Sequence, residues 1–305
     1  MNELITDVKS LELETLKNLR NSKSTNTLRA YQADFRDFSL FCNKNGFTAI
    51  PADPKIISIY LTHLSKTSKF STLKRRIASI SVIHKVKGHY LDTKHPIIIE
   101  NLLGIKRLKG SRQIAKKPIL INDLKLIIKA IDELNQREFK KLRDKAIILI
   151  GFSGGFRRSE LVNLEYEDLE FVSEGVKILI KKSKTDQSGE GSIKAIPYFE
   201  NEKYCPVKIL KEWIEISNIQ SGKIFNISDK SVSLIIKKYA LISGLDPKRY
   251  GGHSLRSGFA TSAAESGAEE RNIMAMTGHK TTQMVRRYIN EANLFKNNAL
   301  NKIKI

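Results

Sequence analysis

Cysteine is all but missing from this 305-residue chain: Cys42 and Cys205 are the only two, far apart and without metal-ligand spacing. That excludes a disulfide framework and leaves free buried thiols in a reducing compartment as the plain reading. Long apolar runs are missing too. No stretch approaches the roughly 18 apolar residues of a membrane span, and the start, Met1-Asn2-Glu3-Leu4, shows no charged and then apolar leader. A soluble cytoplasmic protein is expected, with no membrane partner. Clustered carboxylates and spaced His and Cys ligands are absent as well, which speaks against a metal-dependent nuclease; no metal and no cofactor is expected.

Acidic side chains are the scarcer charge. With 32 of them against 53 Lys and Arg, the net charge is +21, which points to a polyanionic partner, nucleic acid before all others. Positions 1 to 117 hold 22 basic and 9 acidic residues, so the excess is densest there and continues through the rest. The length exceeds the usual single domain, and a prior of about two domains follows.

Leu28, Tyr31, Phe35, Phe38 and Cys42 recur at steps of three and four, which predicts a helix over 25 to 45, stopped at Gly46. Asp53-Pro54 caps a second, through Ile56, Ile57, Tyr60, Leu61 and Leu64. A third begins near Ser71 with Leu73, Ile77, Ile80 and His84 inward; Lys74, Arg75 and Arg76 near its start are candidate DNA contacts. A shorter one runs from Pro96 to about Leu108. The first 105 residues read as a helical bundle. Lys106, Arg107, Lys109, Arg112, Lys116 and Lys117 then form a basic linker over 106 to 117, either a solvated hinge or a strap along a phosphate backbone. Residues 118 to 305 read as a second, mainly helical domain. Its one small antiparallel sheet has Val176, Ile178 and Ile180 alternating with lysines, and Ile193, Ala195 and Pro197 pairing with them across a turn that contains Gly189 and Gly191.

Four segments of this second half carry chemistry. Gly154-Gly155-Phe156-Arg157-Arg158-Ser159-Glu160 ends one helix and starts another, setting Arg157 at a positive helix end, free to clamp a phosphate or merely to pair with Glu160. Lys181, Lys182 and Lys184 crowd a hairpin tip, where a long flexible lysine can protonate a leaving oxygen: Lys184 is the chosen acid, Lys181 and Lys182 are phosphate contacts, and Lys194 is a weaker candidate acid. His253 and Arg256, three apart at a helix start, share one face. Gly278 ends a helix, His279 follows in the turn, and Tyr288 sits on the last helix, either in the core or facing the clamped phosphate. Together they supply cations, a proton carrier and a nucleophile, the needs of phosphoryl transfer to tyrosine.

The ordered set resembles the tyrosine recombinase or phage integrase family, which includes the Cre-like enzymes. The likeness rests on Arg157 in Gly-Phe-Arg-Arg-Ser-Glu-Leu, Lys184 in the hairpin, His253 and Arg256 in His-Ser-Leu-Arg-Ser-Gly-Phe-Ala-Thr, His279 in Thr-Gly-His-Lys, and Tyr288 in Met-Val-Arg-Arg-Tyr-Ile. The Arg256 to His279 separation of 23 residues and the His279 to Tyr288 separation of nine fit the family. The resemblance implies a mainly α fold, a SAM-like core-binding bundle followed by a catalytic domain with a small antiparallel sheet. It implies that Tyr288 attacks a DNA phosphate to form a 3′-phosphotyrosine, with Arg157 and Arg256 on the non-bridging oxygens, Lys184 as acid, His253 as acid or base, His279 on the phosphate and Glu160 in support. It also implies double-stranded DNA with a specific target site as partner, a monomer in solution, and a homotetramer on DNA, with accessory proteins left open. Rejoining then needs no ATP, and no Gly-x-x-x-x-Gly-Lys-Ser/Thr loop occurs. The tail from about 291, with Leu294, Phe295, Leu300, Ile303 and Ile305, packs on its own domain or docks on a neighbour. A type IB topoisomerase-like nicking-closing enzyme and a non-catalytic DNA-binding protein are the alternatives.

Overall fold

The computed structural model describes residues 10–11, 14–15, 17–18, 22–110, 115–181, 191–292, 295 and 299–303. It divides into two compact units, Met1–Ile114 and Ala115–Ile305. Among the described residues the chain is mainly helical, with one small antiparallel sheet.

In the first unit, α1 (Thr25–Lys44) starts at Ser24, whose hydroxyl accepts the Thr27 N–H at 3.3 Å. Helix α2 (Pro54–Ser65) starts at Asp53, whose carboxylate accepts the Lys55 N–H at 2.6 Å, with proline at its first position. Helices α3 (Phe70–Val86) and α4 (Pro96–Lys109) complete the bundle. Phe38, Cys42, Ile57, Tyr60, Leu61, Leu73, Ile80 and Ile98 fill its core. Buried His84 is a structural histidine: Nε2 accepts the Ala52 N–H at 3.0 Å, so Nδ1 donates to the Ile80 carbonyl at 2.9 Å. The α1–α3 seam encloses the Asp34 carboxylate, which takes Arg75, Arg76 at 3.3 Å and the Ser79 hydroxyl at 2.7 Å, while Arg76 also reaches Asp37 at 3.1 Å.

The first part of the basic stretch is helical. Lys106, Arg107 and Lys109 form the basic last turn of α4, which ends at Gly110 with φ 71°. Cations at a helix C-terminus are favoured by its dipole, so this stretch extends the helix. Lys117 belongs to the second unit: its N–H bonds the Arg249 carbonyl at 2.7 Å and its ammonium lies 3.3 Å from Asp123. Lys116 likewise bonds the Lys248 carbonyl. Arg112 lies outside the described residues.

The second unit is built on α6 (Glu138–Ser153), buried on every side from Ala146 onward. Around it lie α5 (Ile121–Glu133), α7 (Arg158–Val162), α8 (Pro206–Ile216), α9 (Asp229–Ile242) and α10 (Ser254–Glu265), followed by α11 (Glu270–Thr277) and α12 (Thr282–Ala292). The sheet runs β1 (Leu169–Val172), β2 (Gly175–Ile180), β3 (Ser192–Pro197) in spatial order. Its register corrects one expectation. Val176 faces Ile196 and Ile178 faces Lys194, so Lys194 and Ile196 lie inward while Ile193, Ala195 and Pro197 lie outward. Strand faces alternate residue by residue, so an offset of one in register exchanges the two faces. Apolar residues alone suggest the wrong one. Gly258 on α10 is required by packing: a Cβ there would stand 2.0 Å from the Ile119 carbonyl oxygen.

Candidate active site

Three backbone breaks in the second unit bring the chemistry together. The first follows α6, where Gly155 takes φ 54° and the Phe156 ring folds against Gly154 so closely that a Cβ on that glycine would collide with it. The turn delivers Arg157 to the start of α7. Glu160 fixes it there, accepting the Arg157 backbone N–H at 2.9 Å with one oxygen and its guanidinium at 2.6 Å with the other. The guanidinium also reaches the Gly278 carbonyl at 3.4 Å. Arg158, the neighbouring alternative, lies against Gly252 and pairs at 3.9 Å with Asp229.

The second break precedes α10, which opens at His253. Arg256, one turn in, is 1% exposed. One of its terminal nitrogens donates to the Gly155 carbonyl at 2.8 Å, and the other, Nη2, is buried without a hydrogen-bond partner among the described residues. Burial, then the like charge of Arg157, lowers its pKa to about 10. An unpaired buried guanidinium donor is costly and invites an anion, since charge-assisted bonds to phosphate oxygens repay the lost hydration.

The third break is Gly278, left-handed at φ 59°, whose N–H closes α11 on the Met274 carbonyl at 2.7 Å. His279 follows, with Nδ1 2.7 Å from the Thr277 hydroxyl. Burial, then Arg256, Arg157, His253 and Lys194, lower its pKa to about 4, so it is neutral at pH 7. His253 is lowered by burial and then by Arg256, Arg157, Arg287 and Arg158, so it too favours the neutral form. On α12, Val285 is buried and anchors the helix beside Ala260, Ala264 and Ile273. Tyr288 thereby presents its hydroxyl 3.4 Å from His253 Nε2, and its ring 5.9 Å from that of His279. A phenol beside a neutral imidazole, among buried cations, can lose its proton as it attacks an anion.

Arg157, Glu160, His253, Arg256, His279 and Tyr288 thus meet in one place. Lys182 and Lys184 lie outside the described residues. Lys181 pairs with Glu165 at 2.6 Å and Asp168 at 2.8 Å, which raise its pKa. Arg75 and Arg76 are engaged with Asp34, and the Lys74 ammonium stands 5.4 Å over the Phe70 ring. Sequence reasoning misses Thr277 and gives Lys194 an outward-facing place. Thr277 orients His279, and the sole signal is a hydroxyl two residues before a histidine in a turn. Lys194 is 4% exposed, its ammonium bonded to the Gly154 carbonyl at 2.6 Å and to the Met276 carbonyl. Burial brings its pKa down to about 8.

Residues 119–294 match the model of the phage integrase family. The chain belongs to that family, the tyrosine recombinases. An integrase/recombinase XerD homolog of Selenomonas ruminantium is 42% identical over 317 residues, covering 99% of this chain and 92% of that protein. Tyrosine recombinase XerC of Staphylococcus aureus is 27% identical, covering 92% and 91%. Among solved structures, XerH site-specific recombinase bound to palindromic difH substrate, in a post-cleavage complex, superposes with a TM-score of 0.68 at 16% identity, covering 95% of this chain and 85% of that one. A lambda integrase dimer bound to a COC′ core site gives 0.59 at 17%, covering 99% and 81%. These two likenesses bear on the fold. DNA cleavage and rejoining is the activity that membership of this tyrosine recombinase family implies.

Proposed function

We propose that this chain is a site-specific DNA recombinase that cuts and rejoins strands through a 3′-phosphotyrosine on Tyr288, without metal or ATP. The observation that carries the reading is the buried Arg256 guanidinium, whose Nη2 has no hydrogen-bond partner among the described residues, one helix turn from His253, whose Nε2 lies 3.4 Å from the Tyr288 hydroxyl. A scissile phosphate placed there accepts from Arg256 and Arg157 through its non-bridging oxygens, and neutral His279 adds a third donor. Charge grows on those oxygens in the transition state, where fixed donors count most. His253 Nε2 receives the phenolic proton as Tyr288 Oη bonds to phosphorus, and the 5′ oxygen leaves with a proton from Lys184. The phosphodiester energy is kept in the phosphotyrosine, so attack by a 5′-hydroxyl reverses the step without a nucleotide.

Strand exchange takes place in a tetramer on two duplexes. An apolar tail supports this, with Phe295 86%, Leu300 64% and Ile303 57% exposed. So does an open cleft of about 380 Å³ whose lining includes Phe152, Ile196, Pro197, Phe199, Phe259 and Met276, a seat for a neighbour's tail. Arg107, Lys109 and Arg112 follow the phosphate backbone, and the target site is double-stranded DNA read by both units.

The test is a nicked duplex cut from the DNA flanking the gene, incubated in EDTA and run on a denaturing gel. Wild type is expected to give a covalent protein–DNA adduct and Tyr288→Phe none, with DNA binding intact. An adduct that survives Tyr288→Phe, or that needs a divalent metal, sinks the reading. Exchange between two labelled duplexes separates recombination from nicking and closing alone.

A further inference from the structure

Lys194 occupies an inward position of β3, opposite Ile178 and two residues before buried Ile196. Packing alone favours an apolar residue there, because burying an ammonium costs far more than burying a methyl group. Around it stand the like charges of Arg256 and Arg157, with Glu160 the opposing one. What the lysine gains is two backbone carbonyls, Gly154 at 2.6 Å and Met276, and the Phe156 ring, 4.6 Å from its ammonium. Gly154 lies three residues before Arg157, and Met276 three before His279. One ammonium therefore ties a rigid strand to both turns that deliver phosphate ligands. Its N–H groups face those carbonyls, which fits a holder of loops better than the weaker candidate acid its sequence position suggests.

We propose that Lys194 is a positioning residue for phosphoryl transfer, fixing the Gly154 and Met276 carbonyls and thereby the separation of the Arg157 guanidinium from the His279 imidazole. The inference rests on the reading that these two side chains hold the scissile phosphate. Its effect belongs in the chemical step, since DNA is gripped over a far larger surface than these two turns.

The experiment measures single-turnover adduct formation on the nicked flanking-DNA duplex, titrated to saturation, for wild type, Lys194→Met, Lys194→Gln and Lys194→Arg, with a melting temperature for each. Lys194→Met is expected to lower the saturated rate about 100-fold and to move the half-saturating DNA concentration less than about threefold, the scale of an ångström's misplacement. Lys194→Arg, which keeps a cation with several donors, is expected to recover about tenfold of that loss. Cleavage by Lys194→Met within about threefold of wild type overturns the inference. So does a rate that falls together with affinity and melting temperature and is not rescued by arginine, which marks a packing role alone. If Lys194→Met does not fold, Gln against Arg decides, and equal rates overturn it. Absence of an adduct in wild type, or its persistence in Tyr288→Phe, is a failure of the underlying reading, and the inference falls with it.

Discussion

Two arginine clusters, one in each unit, are made of the same parts and finished differently. In the first unit the Asp34 carboxylate is enclosed by Arg75, Arg76 and the Ser79 hydroxyl, and its charge is answered inside the fold. In the second, burial and then nearby Arg157 lower the pKa of Arg256; Glu160 pairs with Arg157, and Arg256 is left with one carbonyl and a buried donor that nothing among the described residues answers. A closed cluster holds helices together. An incomplete one is a candidate site, because a buried cationic donor without a partner invites an anion.

Replacing Arg256 by Gln should break this contrast most sharply. The single-turnover rate of adduct formation is expected to fall about 10³-fold, the scale of losing a donor that meets transition-state charge. The melting temperature should hold or rise, since a buried like charge disappears. A cleavage rate within about tenfold of wild type would return Arg256 to the class of structural arginines.

Asp34→Asn is the mirror experiment. It leaves Arg75, which reaches solvent, and Arg76, which keeps Asp37, facing a neutral amide, and losing the charge-assisted bonds to the carboxylate costs about 1.5 to 3 kcal/mol. The loss should appear in the unfolding of the first unit by circular dichroism. Trp213, the only tryptophan, is buried in the second unit and should report an unchanged transition. If Trp213 fluorescence shifts by the same amount, the two units unfold as one.

Much of this was legible because its signals are local. Asp53-Pro54 starts a helix and Gly278 ends one through chemistry confined to a few residues, so those ends agree with expectation. The spacing of His253 from Arg256 places them on one face with no tertiary information. What could not be read is what depends on partners distant in sequence. Arg75 meets Asp34 from 41 residues away, and nothing beside either residue announces it. Lys194 reads as the outward member of a strand until the register with β2 turns it inward. Lys109 reads as linker until the helix dipole is counted.

Acidification sharpens the comparison further. His279 has a folded pKa of about 4 against an ordinary 6.5, so the folded second unit disfavours its protonation. The stability it contributes is fully present above pH 6.5 and is lost as pH falls toward 4. Urea unfolding followed by Trp213 fluorescence should therefore show a midpoint that declines across that window. His279→Gln should flatten the decline, and an identical slope in the variant would assign it to other groups.

The smallest expected effect is at Thr277, which is fully buried with its hydroxyl 2.6 Å from the Ile273 carbonyl and 2.7 Å from His279 Nδ1. A hydroxyl has one proton and two such neighbours to serve. If it donates to Ile273, Nδ1 carries the histidine's proton and Nε2 is bare; if it donates to Nδ1, Nε2 keeps the proton and can donate to phosphate. A phosphate bound beside His279 would select the second arrangement, because an acceptor facing an anion is repelled. Thr277→Val keeps the shape and removes the choice, and should slow cleavage about threefold to tenfold with binding unchanged, the scale of one neutral hydrogen bond. Thr277→Ser restores the hydroxyl and should restore the rate. A valine variant as fast as wild type would show that His279 is oriented by its backbone turn and its stacking beside Tyr288, without help from the buried hydroxyl.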